Sequence, residues 1–339
     1  MPSDDVVRSE LDVPVTDSIF TDIEQVNEQL AAVRNGIGRV IFGQQEVIDE
    51  TIITLLAGGH LLLLGLPGLA KTRLIETLGT VLGLKTRRVQ CTPDLMPADI
   101  IGSEILDENE DGRSFRFFPG PVFTQVLMAD EINRASPRTQ SALLQAMQER
   151  EVSVAGHTHA LPSPFHVLAT QNPIEQEGTY PLPEAQLDRF LLQVNIGYPD
   201  TDAERQMLLV TTGLAVRSPK QVMDAAQLIA AQQLVRRLPV GESVIEAILA
   251  LVRSGRPDTT DREEIANWVA WGPGPRASQA LMLATRARAL LQGRISPSID
   301  DVVALAPAVL RHRMALNFAA RAEGRTLDDV IDSLCDPFK

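Results

Sequence analysis

The chain has 339 residues, 44% of them hydrophobic and 22% charged, a composition typical of a globular protein of about two domains. Its net charge of −13 argues against a protein that coats nucleic acid through a broad basic face. No apolar run approaches the roughly 20 residues of a membrane span, no secretory signal begins the sequence, and Cys91 and Cys335 have neither disulfide nor metal-site spacing, so we expect a cytoplasmic protein.

The beginning of the chain is predicted to be an arm followed by two helices. The first residues are polar, and we expect a flexible N-terminal arm over residues 1–24. An amphipathic pattern between Phe20 and Val40 predicts a helix that ends near Gly36 and Gly38. Residues 44–58 predict a second helix.

Five short apolar runs follow, and each ends in a polar or glycine-rich element. Helical patterns separate several of them, such as residues 136–150, where Ser136 is a suitable N-cap and Pro137 a suitable first-turn residue. Apolar strands that alternate with helices predict a three-layer α/β domain with a five-stranded parallel sheet over residues 25–199, and ligands of such sheets bind at the carboxyl ends of the strands. The predicted strands are Leu61–Leu64, Arg87–Cys91, Val126–Ala129, Val167–Thr170 and Leu191–Ile196.

Two segments interrupt this alternation, and the strands then stop. Residues near 103–118 and 151–161 alternate around turn residues, which predicts two β-hairpins inserted into the α/β domain. After Tyr198-Pro199-Asp200 only helical patterns remain. They predict a separate, all-α domain over residues 200–339.

The segment 65-GLPGLAKT-72, after the first strand, has the spacing of a phosphate-binding loop. Gly65, Gly68, Lys71 and Thr72 suit a loop in which backbone N–H groups at a helix N-terminus bind phosphate. Lys71 is expected to reach the β- and γ-phosphates, and Thr72 to bind Mg²⁺. Ala70 replaces the glycine that usually precedes the lysine. We expect the alanine to be tolerated in a right-handed helical conformation, because glycine is indispensable only where φ is positive.

Adjacent carboxylates follow the strand in 126-VLMADEINRA-135. Nucleotide hydrolysis needs one acid to hold Mg²⁺ and another to polarise the attacking water. Asp130 suits the first role and Glu131 the second. The alternative is a strand end with two solvated acids. It is less favoured because a phosphate-binding loop precedes this segment.

Three polar residues in later segments are candidates for contacts with phosphate. Asn172 follows a strand, where an amide can orient water against the γ-phosphate. Arg189 lies in the segment LDRF, and Arg276 begins a helix in the second domain. Each arginine taken alone is more often a surface or salt-bridge residue, so the order in which the motifs occur carries the interpretation.

That order, GLPGLAKT, VLMADEINRAS, LATQNP, LPEAQLDRF and GPGPRA, resembles the AAA+ ATPases and, within them, the MoxR family, over roughly residues 25–335. The resemblance implies a P-loop AAA+ domain followed by a helical lid domain, with ATP and Mg²⁺ as cofactors. It implies that Lys71 and Thr72 are the Walker A pair and that Asp130 and Glu131 are the Walker B pair. It also implies the roles of sensor 1, arginine finger and sensor 2 for Asn172, Arg189 and Arg276. Thr72 and Asp130 are the implied metal contacts, and the implied nucleotide contacts are Val40, Ile41, Gly43, Gly65, Pro67, Gly68, Leu69, Ala70, Lys71, Thr72, Arg73 and Asp130.

The resemblance also implies an activity and partners. An arginine finger acts on the nucleotide of a neighbouring subunit, so a ring, with a hexamer as the expected size, is implied. The implied function is ATP-driven, chaperone-like remodelling or maturation of a client protein, often with a partner that has a von Willebrand factor A domain. The chain has no D-x-S-x-S metal motif, so such a partner is expected to be a separate protein. One departure from the family pattern is Gly274, where serine is common, and it puts the reach of Arg276 in doubt.

Three alternatives remain open. A nucleic-acid motor would also have a hairpin before Asn172, but residues 151–162 contain no lysine or arginine for phosphate contacts, so no nucleic acid partner is expected. A subunit similar to magnesium chelatase would require a tetrapyrrole partner that the sequence does not reveal. A nucleotide-dependent scaffold without turnover is disfavoured by the complete set of catalytic residue types.

Three further features have ordinary explanations. His157 and His159 lack a third metal ligand nearby in sequence and are expected at an exposed hairpin tip. Trp268 and Trp271 are expected to pack between the helices of the second domain. The acidic turn at residues 108–112 is expected to be solvated, with a docking surface as the less favoured alternative.

Overall fold

The computed structural model describes residues 17–109, 112–173, 178–212 and 219–339. These residues form two compact units. An α/β unit comprises residues 33–51 and 58–228, and a helical unit comprises residues 17–32, 52–57 and 229–339. The acidic turn at residues 108–112 has no described side chains and includes two residues outside the described part of the chain.

A five-stranded parallel sheet forms the centre of the α/β unit, as predicted. The strand order is β2-β5-β8-β1-β9, with Leu62 of β1 opposite Ala169 of β8 and Gln193 of β9. The helices and strands up to residue 212 are α1 (Asp17–Gly38), α2 (Gln45–Leu56), β1 (Leu61–Gly65), α3 (Lys71–Val81), β2 (Thr86–Gln90), α4 (Pro97–Ile101), β3 (Gly102–Asn109), β4 (Gly112–Pro119), β5 (Val126–Asp130), α5 (Pro137–Glu149), β6 (Glu151–Val154), β7 (His157–Ala160), β8 (His166–Gln171), α6 (Glu184–Leu187), β9 (Leu192–Ile196) and α7 (Thr201–Thr211).

The inner strands of the sheet are buried, whereas strand β2 is more exposed than its sequence predicts. Every residue of β5 is buried, because β2 and β8 flank it and helices cover the sheet. Strand β2 was also expected to be a buried apolar strand. It is instead an edge strand on which only Val89 is buried, so Arg88 and Gln90 are exposed on the same side of the strand.

Helix α5 packs against the sheet and begins as predicted. The hydroxyl of Ser136 accepts a hydrogen bond from the backbone N–H of Thr139 at 3.3 Å, and Pro137 occupies the first turn. Leu143 and Leu144 of this helix belong to a continuous apolar core that includes strands β5 and β8. Burial of that core fixes the sheet, and thereby the positions of the strand ends.

Both predicted hairpins are present. Strands β3 and β4 pair in antiparallel register, and so do β6 and β7. The ring of His159 stacks on that of Phe117, with centroids 3.8 Å apart and planes 13° apart, so aromatic packing joins the two hairpins. His157 is exposed, as expected, but His159 is not fully so, because Phe117 covers one face of its ring.

The helical unit contains one feature that the sequence interpretation missed. Val269–Trp271 (β10) and Ala315–Leu316 (β11) form a short antiparallel pair that accompanies the predicted helices of this unit. The guanidinium of Arg325 lies 4.5 Å from the centre of the Trp268 ring, a cation–π contact within this unit. Its remaining helices are α8 (Ala225–Arg237), α9 (Glu242–Ser254), α10 (Glu263–Trp268), α11 (Pro275–Leu291), α12 (Ile299–Leu310), α13 (Phe318–Ala322) and α14 (Leu327–Cys335).

The division by packing differs from the predicted boundaries at two places. Helix α7 was expected in the second domain, but it belongs to the α/β unit, because Ala203 lies directly against Gly43. The predicted arm is helical from Asp17 onward, with Ile23 buried, while residues 1–16 lie outside the described part of the chain. Among the described residues, no helix has both the length and the hydropathy to cross a membrane.

Candidate functional site

The phosphate-binding loop lies between β1 and α3, as its sequence predicts. Gly68 has a φ of 85°, in the left-handed region that favours glycine. A Cβ on Gly65 would lie 3.0 Å from the carbonyl oxygen of Ile196, so the loop begins where two strands approach closely. The Lys71 ammonium donates to the carbonyl oxygens of Gly65 and Leu66, which curls the loop around its own lysine.

Ala70 does not have the expected conformation. Its φ of 58° and ψ of 20° lie in the left-handed region, so the expectation of a right-handed helical conformation was wrong. A residue with a Cβ is disfavoured there by roughly 1–2 kcal/mol. The loop therefore requires at this position the conformation that glycine adopts most easily, and the alanine adopts it under strain.

The Asp130 carboxylate is buried at the end of β5 and has partners on both neighbouring strands. Its Oδ1 accepts a hydrogen bond from the hydroxyl of Thr170 at 2.6 Å. Its Oδ2 accepts from Arg88, with Nε at 3.1 Å and Nη2 closer. Strands β2 and β8 thus hold the carboxylate from opposite sides.

Glu131 directly follows β5 in a strained conformation, with a φ of 55°. Its backbone N–H donates to the Thr170 hydroxyl at 2.9 Å. Its carboxylate accepts from Gln90 at 3.0 Å and from Arg134 at 3.2 Å. Left-handed residues that the surroundings hold in this way cluster at functional sites.

The four side chains that bind Asp130 and Glu131 were not identified from the sequence as site residues. Arg88 and Gln90 alternate on an edge strand, and Thr170 lies two residues before Asn172. The only signal in the sequence is a polar side chain near the carboxyl end of a strand, which is too common to single them out. Arg134, three residues after Glu131, had a stronger signal, because a short helical turn brings residues at that spacing together.

One cavity of about 380 Å³ contains two of the four predicted catalytic residues, Glu131 and Asn172, together with Asp130 and the phosphate-loop residues. Asn172, with 4% of its surface exposed, follows β8 and lies at this cavity. The Lys71-Thr72 pair, the two acids and Asn172 come from three segments that the parallel sheet brings to the same edge. The lining residues are Pro67, Gly68, Leu69, Ala70, Lys71, Thr72, Arg73, Asp130, Glu131 and Asn172.

A second cavity, of about 570 Å³, adjoins the first and shares with it four loop residues and Arg73 of α3. Its walls are mainly apolar, which suits a nucleoside better than a polyphosphate. Val40 and Ile41 line it, whereas Gly43 does not. Gly43 has a φ of 68°, and a Cβ there would lie 2.4 Å from that of Ala203, so this glycine allows the turn to meet α7. The lining residues not expected from the sequence include Phe42, Tyr198, Met207 and Val210.

The donor set of the 380 Å³ cavity fits Mg²⁺ bound together with a nucleotide. Thr72 and Asp130 supply a hydroxyl and a carboxylate, both hard oxygen ligands, at the same cavity. No group of three His, Cys, Asp or Glu side chains with metal-site geometry occurs within the described residues. Mg²⁺ is commonly bound by one or two protein oxygens together with substrate phosphates, so this small set suffices.

Cys91 adjoins the site but is unsuited to nucleophilic chemistry. It is fully buried, and its N–H donates to the Asp130 carbonyl. Burial, together with the nearby charges of Asp130 and Glu131, raises the pKa of the Cys91 thiol to about 12.

The two predicted arginines lie outside the lining of the 380 Å³ cavity. Arg189 follows α6 in the α/β unit, and its Nε is buried without a hydrogen-bond partner in the described part of the chain. Arg276 is the second residue of α11 in the helical unit. Their expected roles as arginine finger and sensor 2 remain predictions.

Comparisons with known proteins identify the family and the relatives of this chain. The family model described as "ATPase family associated with various cellular activities (AAA)" matches residues 60–192, and the AAA lid domain matches residues 262–334. The chain is 42% identical over 297 residues to Chaperone MoxR1 of Mycobacterium tuberculosis, covering 87% of this chain and 78% of that protein. It is 34% identical to Protein MoxR of Methylorubrum extorquens, covering 83% and 85% of the two chains. The crystal structure of a Cytophaga hutchinsonii protein proposed to be an ATPase superposes with a TM-score of 0.86 at 34% identity, covering 93% and 96% of the two chains.

Proposed function

The chain belongs to the MoxR family of AAA+ ATPases, and from that premise we propose that it hydrolyses ATP to remodel or mature a client protein. The observation that carries the hydrolytic part is the single cavity lined by Lys71, Thr72, Asp130, Glu131 and Asn172. It combines a cation for phosphate, oxygen ligands for a metal, and a carboxylate near the place where a γ-phosphate would lie.

Each of these residues has a defined role in the proposal. Backbone N–H groups at the start of α3 bind the phosphates, and the Lys71 ammonium exchanges its loop carbonyl partners for phosphate oxygens. Thr72 and Asp130 hold Mg²⁺, which neutralises charge that develops on the phosphates. The Glu131 carboxylate polarises the attacking water, and the Asn172 amide orients it. Val40 and Ile41 contact the base in the adjoining apolar cavity.

We further propose that the active site is completed by a neighbouring subunit. Among the described residues the buried Arg189 Nε has no hydrogen-bond partner, and a guanidinium with a free donor suits an arginine finger. A finger supplied in trans requires a ring of identical subunits, with six as the proposed number. Arg276 is proposed to contact the same nucleotide as sensor 2.

The client-directed part of the proposal has its support in the relatives. A protein 42% identical to this chain is named a chaperone. A separate von Willebrand factor A domain protein is the proposed partner, and the cytoplasm is the proposed location. The two hairpins, which aromatic stacking joins, are the proposed elements that transmit motion to the client.

The experiment begins with nucleotide binding and phosphate release by the full chain and its variants. Lys71→Ala should abolish ATP binding, and Glu131→Gln should bind ATP without turnover. Arg189→Ala should keep the binding affinity and lose hydrolysis, whereas Arg205→Ala, which removes the same charge from an exposed position of helix α7, should change neither. If wild-type protein neither binds nor hydrolyses ATP, the proposal fails.

A subunit-mixing experiment separates a shared site from a self-contained one. Glu131→Gln and Arg189→Ala are each expected to be inactive alone. Activity should return on mixing, because an intact Glu131 then meets an Arg189 donated by the other variant. Mixing Glu131→Gln with the double variant is the control and should restore nothing. A mixture of the single variants that stays inactive, although it assembles, contradicts the shared site.

The client-directed part needs its own measurement. The Glu131→Gln variant with ATP should retain a client that Lys71→Ala with ATP does not. Equal recovery of every protein by the two variants would contradict nucleotide-dependent client binding.

A further inference from the structure

Both oxygens of the Asp130 carboxylate already have partners, and the two partners differ in how easily they can leave. Thr170 is fully buried, and its hydroxyl also accepts the Glu131 N–H, so it is fixed by two hydrogen bonds. Arg88 is 49% exposed at its side chain and lies on the edge strand β2. Only the contact with Arg88 can therefore open without disturbing the core.

The Arg88 guanidinium occupies an oxygen that a metal would need. It donates to Oδ2 through two nitrogens, Nε and Nη2, while Nη2 also donates to Gln90 at 2.7 Å. A divalent cation at the same oxygen would lie a few ångströms from this positive charge, and like charges at that separation repel each other. The guanidinium and the metal are consequently competitors for Asp130.

We propose that Arg88 is a positioning residue that holds the Asp130 carboxylate in the absence of the metal and leaves Oδ2 when Mg²⁺ binds with the nucleotide. Thr170 keeps Oδ1 in both states, so the carboxylate is already oriented when the exchange takes place. A partly exposed ion pair is weak enough for a divalent cation to displace. This inference rests on the proposed ATP site.

As a consequence, Arg88 determines the Mg²⁺ concentration at which metal-dependent nucleotide binding is half-saturated. Mg²⁺ must displace the guanidinium before it can use Asp130 fully, so the concentration of Mg²⁺ at half-saturation is higher with Arg88 than without it. Nucleotide binding without metal does not involve this exchange. Arg88 therefore acts on the metal step and not on the contacts of Lys71 or of the base.

The test is a Mg²⁺ titration of the full chain with a fluorescent ATP analogue, read by anisotropy, alongside the same binding measured in EDTA. Arg88→Gln should lower the half-saturating Mg²⁺ concentration about five-fold, the size expected for loss of a partly exposed ion pair. Affinity in EDTA should stay unchanged. Arg87→Gln is the matched control, because it removes the same charge from the adjacent, exposed position of the same strand, and it should leave the titration unchanged.

Two further measurements keep the outcome decisive. Thermal unfolding verifies that Arg88→Gln folds. Should it not fold, Arg88→Lys keeps the charge but loses the two-nitrogen contact, and its half-saturating concentration should fall by a smaller factor. A folded Arg88 variant whose half-saturating Mg²⁺ is unchanged or higher overturns the inference, since Arg88 would then be neutral toward the metal or support it. If wild-type protein shows no Mg²⁺-dependent binding and Lys71→Ala behaves identically, the proposed function fails instead.

Discussion

Two regions of the site each contain a non-glycine residue in the left-handed conformation. The two regions differ in the hydrogen bonds that hold this residue. In the phosphate loop Ala70 has a φ of 58°, and its side chain makes no capping hydrogen bond. At the end of β5, Glu131 has a φ of 55°, and Thr170, Gln90 and Arg134 hold its backbone and side chain. The backbone strain at Ala70 comes from the path of the loop alone. The backbone strain at Glu131 accompanies a conformation that orients its carboxylate toward Gln90 and Arg134. We therefore expect that the backbone strain at Ala70 can be removed without loss of function, whereas the strain at Glu131 cannot.

The largest expected effect tests the side chain of Glu131. Glu131→Gln keeps the size and the neighbouring donors but removes the negative charge that we propose polarises the attacking water. We expect the turnover rate to fall about 10²–10⁴-fold, with ATP affinity retained. Single-turnover phosphate release and equilibrium binding measure the two quantities. A variant with wild-type turnover would mean that the strained carboxylate is not the base.

The next effect concerns the opposite ends of β1, which precedes the phosphate loop, and of β8, which carries Thr170. His60, just before β1, accepts the Val167 N–H and donates to the Met147 carbonyl, and His166 begins β8. Burial is the main cause that lowers the pKa of His60 to about 3 and that of His166 to about 4. Both stay neutral in the folded chain at a pH where the unfolded chain protonates them.

The sign of the pH dependence follows from these shifts. Folding stability due to the neutral histidines is complete above pH 6.5 or so and is lost as pH falls toward 4 and then 3. At about pH 5 the loss is about 2 kcal/mol for each histidine. Denaturant unfolding as a function of pH measures it. His60→Gln preserves an acceptor and a donor without titrating, so it should weaken the acid dependence, and an unchanged dependence would contradict this assignment.

An intermediate effect is expected at Thr170, which supports Glu131 but not Ala70. Thr170→Val leaves the Asp130 Oδ1 and the Glu131 N–H without their partner, so we expect a loss of about 1–3 kcal/mol in unfolding free energy. Thr170→Ser keeps the hydroxyl and should recover most of it. Chemical denaturation provides the measurement. If Val and Ser are equally tolerated, the hydroxyl does not hold the strand end.

The smallest effect is expected at Ala70 and has the opposite sign. Ala70→Gly relieves the left-handed strain, and we expect a gain of about 1 kcal/mol in stability with ATP binding retained. Ala142→Gly in helix α5 is the control, and there the same substitution should destabilise by up to about 1 kcal/mol. Destabilisation by both glycines would remove the contrast between the two regions.

The sequence alone determined the features that local spacing encodes. The phosphate loop, the adjacent acids, the five strands and the two hairpins follow from patterns within a few residues of each other, because turn chemistry and strand periodicity are local properties. The tertiary structure alone decided the partners of those acids. Arg88 and Thr170 are 42 and 40 residues from Asp130, and only the strand order β2-β5-β8 places them on either side of it. The left-handed conformation of Ala70 was likewise decided by the path of the folded loop, since the identity of a residue does not fix its φ.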